Sequence, residues 1–304
     1  MKPDDCTLTP QELARVRREA ERCLRAAGAL GHVPTPVADV MDAARVVVDP
    51  DNVLDESFLS LARQKALRVR AALKQALGKV LGLFDAREGL VFIDRAVRAV
   101  RQTFLKLHEA GHAFLPWQRP LYGLVEDSEH TLSPEVRSLF EREANVFASE
   151  VLFQLGTFAE EAAGYDFGIL TPVRLSKRYK ASIYATIRGY VWTNSRTCAV
   201  LVLDPPVPAD GCGFTVSLRR VIASPGFERE FGRLNWPAQF TPDSEIGAMV
   251  PIGGRRMSSP RGMILVDRNG NRRECVAEAF TQKHQVFALI HAAATLTRTR
   301  VILP

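Results

Sequence analysis

His108-Glu109-Ala110-Gly111-His112 sets two imidazoles four residues apart, with a glutamate directly after the first. The segment VRAVRQTFLKLHEAGHAFL has helical spacing, and residues four apart on a helix return to one face. Both rings can then ligate one zinc ion per chain while Glu109 points at the water that the metal activates. The chemistry this implies is peptide hydrolysis. Zinc would lower the pKa of water to roughly 7, and Glu109 would take its proton during attack on a carbonyl and hand it to the leaving amine. At about 100° per residue, His108 falls on the apolar stripe with Val97, Phe104, Gly111 and Leu115, and His112 lies at the stripe's edge. Imidazoles buried there without hydrogen bonds would cost on the order of 1–3 kcal/mol each, a cost that ligation removes.

A catalytic zinc usually takes three protein ligands and leaves the fourth position to water. The metzincin pattern does not supply the third, because Leu115 and Gln118 stand where it requires glycine and histidine. A glutamate from a second helix is the other common solution, and Glu141-Arg142-Glu143-Ala144-Asn145 offers two. The core stripe of that helix is Val136, Phe140, Ala144, Phe147 and Val151, and Glu141 and Glu143 fall on its opposite flanks. Periodicity does not choose between them.

HEAGH followed by EREANVFASEVL, with GLFDAREGLVFID just upstream, resembles the ImmA/IrrE family of zinc metallopeptidases. The resemblance covers Leu13 to Tyr190 and is dense from Gly82 to Leu152. It implies that the third ligand is the glutamate four positions before the asparagine, Glu141. It also implies a zincin-like α+β core and, as substrate, a partner transcriptional repressor of the helix-turn-helix type, cleaved after stress or DNA damage. Family members often carry a GAF-like sensor domain behind the peptidase. The chain departs from the family at Phe153-Gln154, where Met-Pro is common, and in a helical insertion between Asp55 and Leu77.

Several elements must position these residues. Thr9-Pro10-Gln11-Glu12 reads as a capping box opening a helix that ends near Gly28 to Gly31. A short helix follows Thr35-Pro36 and runs into a strand at Arg45 to Val48. Leu59 to Leu77 is helical, and Val80 to Asp85 and Leu90 to Ile93 form a hairpin whose edge could receive an extended substrate. Ser133-Pro134 starts a helix expected to reach Leu155, with Gly156 ending it. Helices fit 158 to 163 and 172 to 191, the latter region resembling a helix-turn-helix with Ala181-Ser182 at the turn. From Cys198 the texture becomes β-rich, with a hairpin turn at Asp267 to Asn271. The expected division is a zincin-like peptidase domain over 1–165, a helical HTH-like extension over 166–204, and a separate α/β sensor domain over 205–304.

Other residues enter as weaker candidates. Tyr184, His130 and Tyr122 could stabilise an oxyanion, although no motif stands behind them. The chain has 40 Lys and Arg against 34 Asp and Glu. Residues 205–304 hold 13 basic and 8 acidic side chains, which is nearly all of the chain's excess of +6. There Arg219-Arg220, Arg255-Arg256 and Arg272-Arg273 lie among aromatic residues, the materials of a groove for single-stranded DNA, which would then serve as activator. Adjacent arginines on a strand point to opposite faces and need not form a patch, so a solvated basic surface is the favoured reading. Five widely spaced cysteines read as free thiols of a reducing compartment, and a thiolate could in principle close the open zinc position. No apolar run is long enough to cross a bilayer and the N-terminus lacks a secretory signal, so a cytoplasmic location is expected. The competing reading is a DNA-binding transcriptional regulator with a structural or vestigial zinc site.

Overall fold

The computed structural model describes residues 6–48, 82–85, 90–93, 99–119, 133–282 and 284–293. The helix expected over Leu59 to Leu77, with the insertion that contains it, the turn at 86–89, Tyr122 and His130 lie outside them. The chain divides into two compact units, Met1–Phe158 with Lys177–Ser182, and Ala159–Ser176 with Ile183–Pro304.

In the first unit, α1 (Pro10–Ala26) opens on the expected capping box: Glu12 N–H donates to Thr9 Oγ1, and Thr9 N–H donates to the Glu12 carboxylate at 2.7 Å. It ends where Gly28 adopts φ 58°, which lets Ala29 N–H reach back to the Leu24 carbonyl. A short α2 (Val37–Ala43) follows Pro36. The strand expected from Arg45 is shorter than its β-branched run suggests. Arg45 takes φ 56° to end α2, so β1 holds only Val47–Val48.

β1 pairs in parallel with β3 (Leu90–Ile93), and β3 pairs antiparallel with β2 (Gly82–Asp85), giving a three-stranded sheet with β3 in the middle. Two long helices complete the unit: α3 (Ala99–Phe114), which carries both histidines, and α4 (Pro134–Leu152). α3 packs on the sheet and along α4, and α1 covers α4. Leu107, Phe140, Ala144, Phe147 and Val151 are buried between these elements, each large side chain contributing about 1.5–3 kcal/mol.

α4 stops at Leu152, before the expected Leu155, and Gly156 plays no part in stopping it. Gln154, at φ 54°, occupies the left-handed position that glycine usually takes. Its buried amide accepts from Gly31 N–H at 2.7 Å and donates to Thr35 Oγ1 at 2.8 Å, holding a conformation that costs a non-glycine residue about 1–2 kcal/mol.

The region expected as helical over 172 to 191, with Ala181-Ser182 at its turn, is two helices, α6 (Leu170–Arg178) and α7 (Ile183–Trp192), after a short α5 (Thr157–Ala163); most of α5 and α6 and all of α7 belong to the second unit. Lys180 at φ 48° makes the break. An antiparallel sheet runs in the order β5-β6-β4-β10-β9-β8, from β4 (Cys198–Leu203), β5 (Val207–Ala209), β6 (Gly213–Ala223), β8 (Arg261–Val266), β9 (Arg272–Gln282) and β10 (Gln285–Ala292). A short β7 (Gln239–Phe240) adds to β6. β4 is buried along its whole length and sits centrally beside β10, which explains its unbroken apolar sequence. The β8–β9 turn forms as expected: the Asp267 carboxylate accepts from Asn269 and Asn271 N–H, and Gly270 supplies φ 83°. One face of the sheet packs around Phe227, Phe231 and Phe240. α7 packs on β4 and β6.

Candidate metal centre

Helical periodicity does the first part of the assembly. His108 and His112, one turn apart on α3, bring their Nε2 atoms to 3.1 Å from each other. Glu141 on α4 meets them from the other side, its two oxygens 3.4 Å from His108 Nε2 and 3.7 Å from His112 Nε2. The three side chains offer ligand atoms that all lie within 4.8 Å of one another. α3 and α4 can approach closely enough for this because Gly111 lies at their crossing. A Cβ there would stand 3.1 Å from Phe147 and 3.4 Å from the Ala144 backbone.

The electrostatics are those of a buried charge cluster. Burial penalises a His108 cation, yet the hydrogen bond it donates to Glu141 and the charges of Glu109 and Glu141 outweigh it and raise its pKa. His112 is pushed down to about 4 by burial and by the neighbouring His108 charge. Burial opposes the Glu141 carboxylate too, but both imidazoles hold it down to about 2. Glu109 is 6 % exposed, and burial pushes it up to about 7, a range suited to exchanging a proton near neutrality. Two nitrogens and one carboxylate are a donor set that a catalytic zinc accepts, with one position left for water. The group includes no cysteine, and all five cysteines are free thiols.

Glu143 has different work. Its carboxylate is wholly buried and accepts from Arg15 Nη2 at 2.9 Å, Trp117 Nε1 at 2.7 Å and Gln118 Nε2 at 2.7 Å. Gln118 also donates to the Phe140 carbonyl at 3.3 Å, and its Oε1 lies 2.7 Å from His112 Nδ1. Sequence reasoning weighed Glu143 only as a ligand and met Gln118 only as a departure from another motif.

The remaining candidates are dispersed. Tyr184 sits on α7, where its hydroxyl accepts from Arg220 Nη1 at 3.1 Å. Arg219 pairs with Asp204 and Arg273 with Glu230. Arg220 lies in the register row that reaches Phe280 through Val202 and Phe287, and Arg256 is bonded to neighbouring Thr281. β6 and β9 are three strand spacings apart, roughly 14 Å, and Arg272 is roughly 30 Å from Thr281 along β9. The three arginine doublets therefore do not converge on one groove.

Residues 63–188 match the Peptidase_M78 family, described as an IrrE N-terminal-like domain. No curated protein shows significant similarity to the chain. Among solved structures, a chain described as a Mycobacterium tuberculosis transcriptional regulator superposes with a TM-score of 0.51 at 14% identity. The match covers 94% of this chain and 82% of that one. At that identity the likeness is one of fold. Among the described residues, no helix is long and apolar enough to cross a membrane.

Proposed function

We propose, from the match of residues 63–188 to the IrrE N-terminal-like domain of the Peptidase_M78 family, that the chain is a zinc-dependent endopeptidase. The observation that carries the reading is the convergence of His108, His112 and Glu141 beside a buried Glu109 whose pKa is raised to about 7. His108, His112 and Glu141 would hold the ion, and a zinc there supplies Lewis acidity, polarising a peptide carbonyl and acidifying water at the site. Glu109 accepts the proton from the attacking water and returns it to the amine that leaves. Burial keeps this carboxyl poised between its two protonation states, which the two transfers require in turn. Among the described residues β2 is an edge of the three-stranded sheet against which α3 packs, and an extended substrate would add to that edge.

The proposed substrate is a helix-turn-helix transcriptional repressor in the cytoplasm, whose cleavage relieves repression after stress or DNA damage. The family resemblance supports this, as does a chain whose positive charge is concentrated in residues 205–304, a region we assign as a sensor for an anionic signal such as single-stranded DNA. The test is cleavage of a co-purified repressor by the zinc-loaded chain. Glu109→Gln keeps all three proposed ligands and removes the base, and should lower the rate by at least about 10²-fold. The fold likeness to a transcriptional regulator favours a second reading, DNA binding through α6 and α7 with zinc in a structural role. Full function of the Glu109→Gln chain would select that reading.

A further inference from the structure

We propose that Gln118 is a positioning residue for the metal centre: it fixes His112 as the Nδ1–H tautomer, and the buried Glu143, anchored by Arg15 and Trp117, fixes Gln118. The inference rests on the metallopeptidase reading and extends it to four residues that touch no proposed reacting atom.

The argument follows the direction of each hydrogen bond. The amide nitrogen of Gln118 is 2.7 Å from Glu143 Oε2 and 3.3 Å from the Phe140 carbonyl oxygen, and both partners only accept. The amide therefore cannot flip, and its oxygen must face His112 Nδ1, 2.7 Å away. An oxygen at that distance requires a proton on Nδ1, which leaves a lone pair on Nε2, the atom that faces His108 and Glu141. Glu143 is held in turn by Arg15 and by the indole N–H of Trp117, and the Arg15 guanidinium lies 3.7 Å above the Trp117 ring. Arg15 belongs to α1 and Glu143 to α4, so the orientation of one ligand on α3 depends on the packing of three helices. A neutral amide stands between the histidine and the carboxylate.

The experiment uses the full-length protein. The protonation pattern of the His112 ring is read by ¹⁵N NMR on zinc-free wild type and Gln118→Leu, and zinc affinity is read by competition with a chromophoric chelator. The expected result is a proton on Nδ1 in wild type, a mixture of tautomers in Gln118→Leu, and zinc binding weakened by about 10- to 100-fold in the variant. Should Gln118→Leu not fold, Trp117→Phe removes one N–H from Glu143 and keeps the ring; it should weaken zinc by several-fold. Unchanged tautomer and affinity within twofold in whichever variant folds would overturn the proposal. A wild type that binds no zinc but shows the Nδ1 proton, lost in Gln118→Leu, would overturn the peptidase reading while upholding the role of Gln118 in orienting the ring.

Discussion

Glu141 and Glu143 are two residues apart on α4, and the geometry gives them opposite duties: Glu141 faces two imidazoles, while Glu143 accepts three hydrogen bonds from Arg15, Trp117 and Gln118. Truncating Glu143 to alanine takes the carboxylate acceptor from the half-buried indole N–H of Trp117 and from the buried Gln118 amide, which keeps only its longer bond to the Phe140 carbonyl. It should destabilise the zinc-free chain by about 1–3 kcal/mol in urea unfolding, as buried unsatisfied donors do. The thiols make a separate prediction. Burial pushes Cys23 and Cys198 up to about 12 and Cys275 up to about 11, so little thiolate exists on them at pH 8. Timed alkylation followed by peptide mass spectrometry should label the half-buried Cys212 before those three; equal labelling of Cys198 would contradict the buried sheet around it. The convergence of His108 and His112 was legible in the sequence because it depends on local helical spacing. Choosing Glu141 over Glu143 required knowing which flank of α4 meets α3, a tertiary fact that only a resemblance could anticipate. Gln118 was not legible as a functional residue because its role lies in partners 22 to 25 residues away, with no periodicity linking them.

The crossing of α3 and α4 is where element packing bears on chemistry. Gly111 allows the approach, and its neighbours there are the fully buried Phe147 and the Ala144 backbone, which have little room to move. Gly111→Ala should gain helix propensity yet lose more to overpacking, about 1 kcal/mol net, and should weaken zinc binding by shifting the histidines against Glu141. Chelator competition and urea unfolding on the same variant check both halves, and a variant with tighter zinc binding would contradict the crossing as described. Helix starts were readable from Thr9-Pro10 and Ser133-Pro134, because caps are local. Helix ends were less so. α4 stops at Leu152, and the left-handed Gln154 just beyond it is held by hydrogen bonds to Gly31 and Thr35, more than a hundred residues away, while Gly156 is not the stop signal. The break at Lys180 falls one residue before the turn expected at Ala181-Ser182, although an exposed lysine at φ 48° carries no sequence mark of its own.

Taken whole, the chain joins a unit that holds a complete His-His-Glu cluster to one built on an antiparallel sheet with the chain's excess basic charge. Charge composition foretold a basic C-terminal third, but strand register, invisible to composition, spreads its arginines. Arg255-Arg256 and Arg272-Arg273 are both exposed, and the first of these doublets lies in the loop before β8. If single-stranded DNA is the signal, Arg255→Ser with Arg256→Ser should reduce the slope of log affinity against log salt by about 1 to 2, and cleavage should lose its response to DNA. Binding unaffected by the double change, or cleavage indifferent to DNA at moderate salt, would remove the sensor from the account and leave the peptidase unit standing.

All of this depends on one metal site, so elemental analysis of zinc in the purified full-length chain is the decisive measurement, made on wild type and on His112→Ala, Glu141→Ala and Glu143→Ala after saturation with zinc. The account predicts one zinc per chain in wild type, its loss with His112→Ala and with Glu141→Ala, and its retention with Glu143→Ala. Zinc retained without Glu141, or no zinc in wild type after reconstitution, would contradict it.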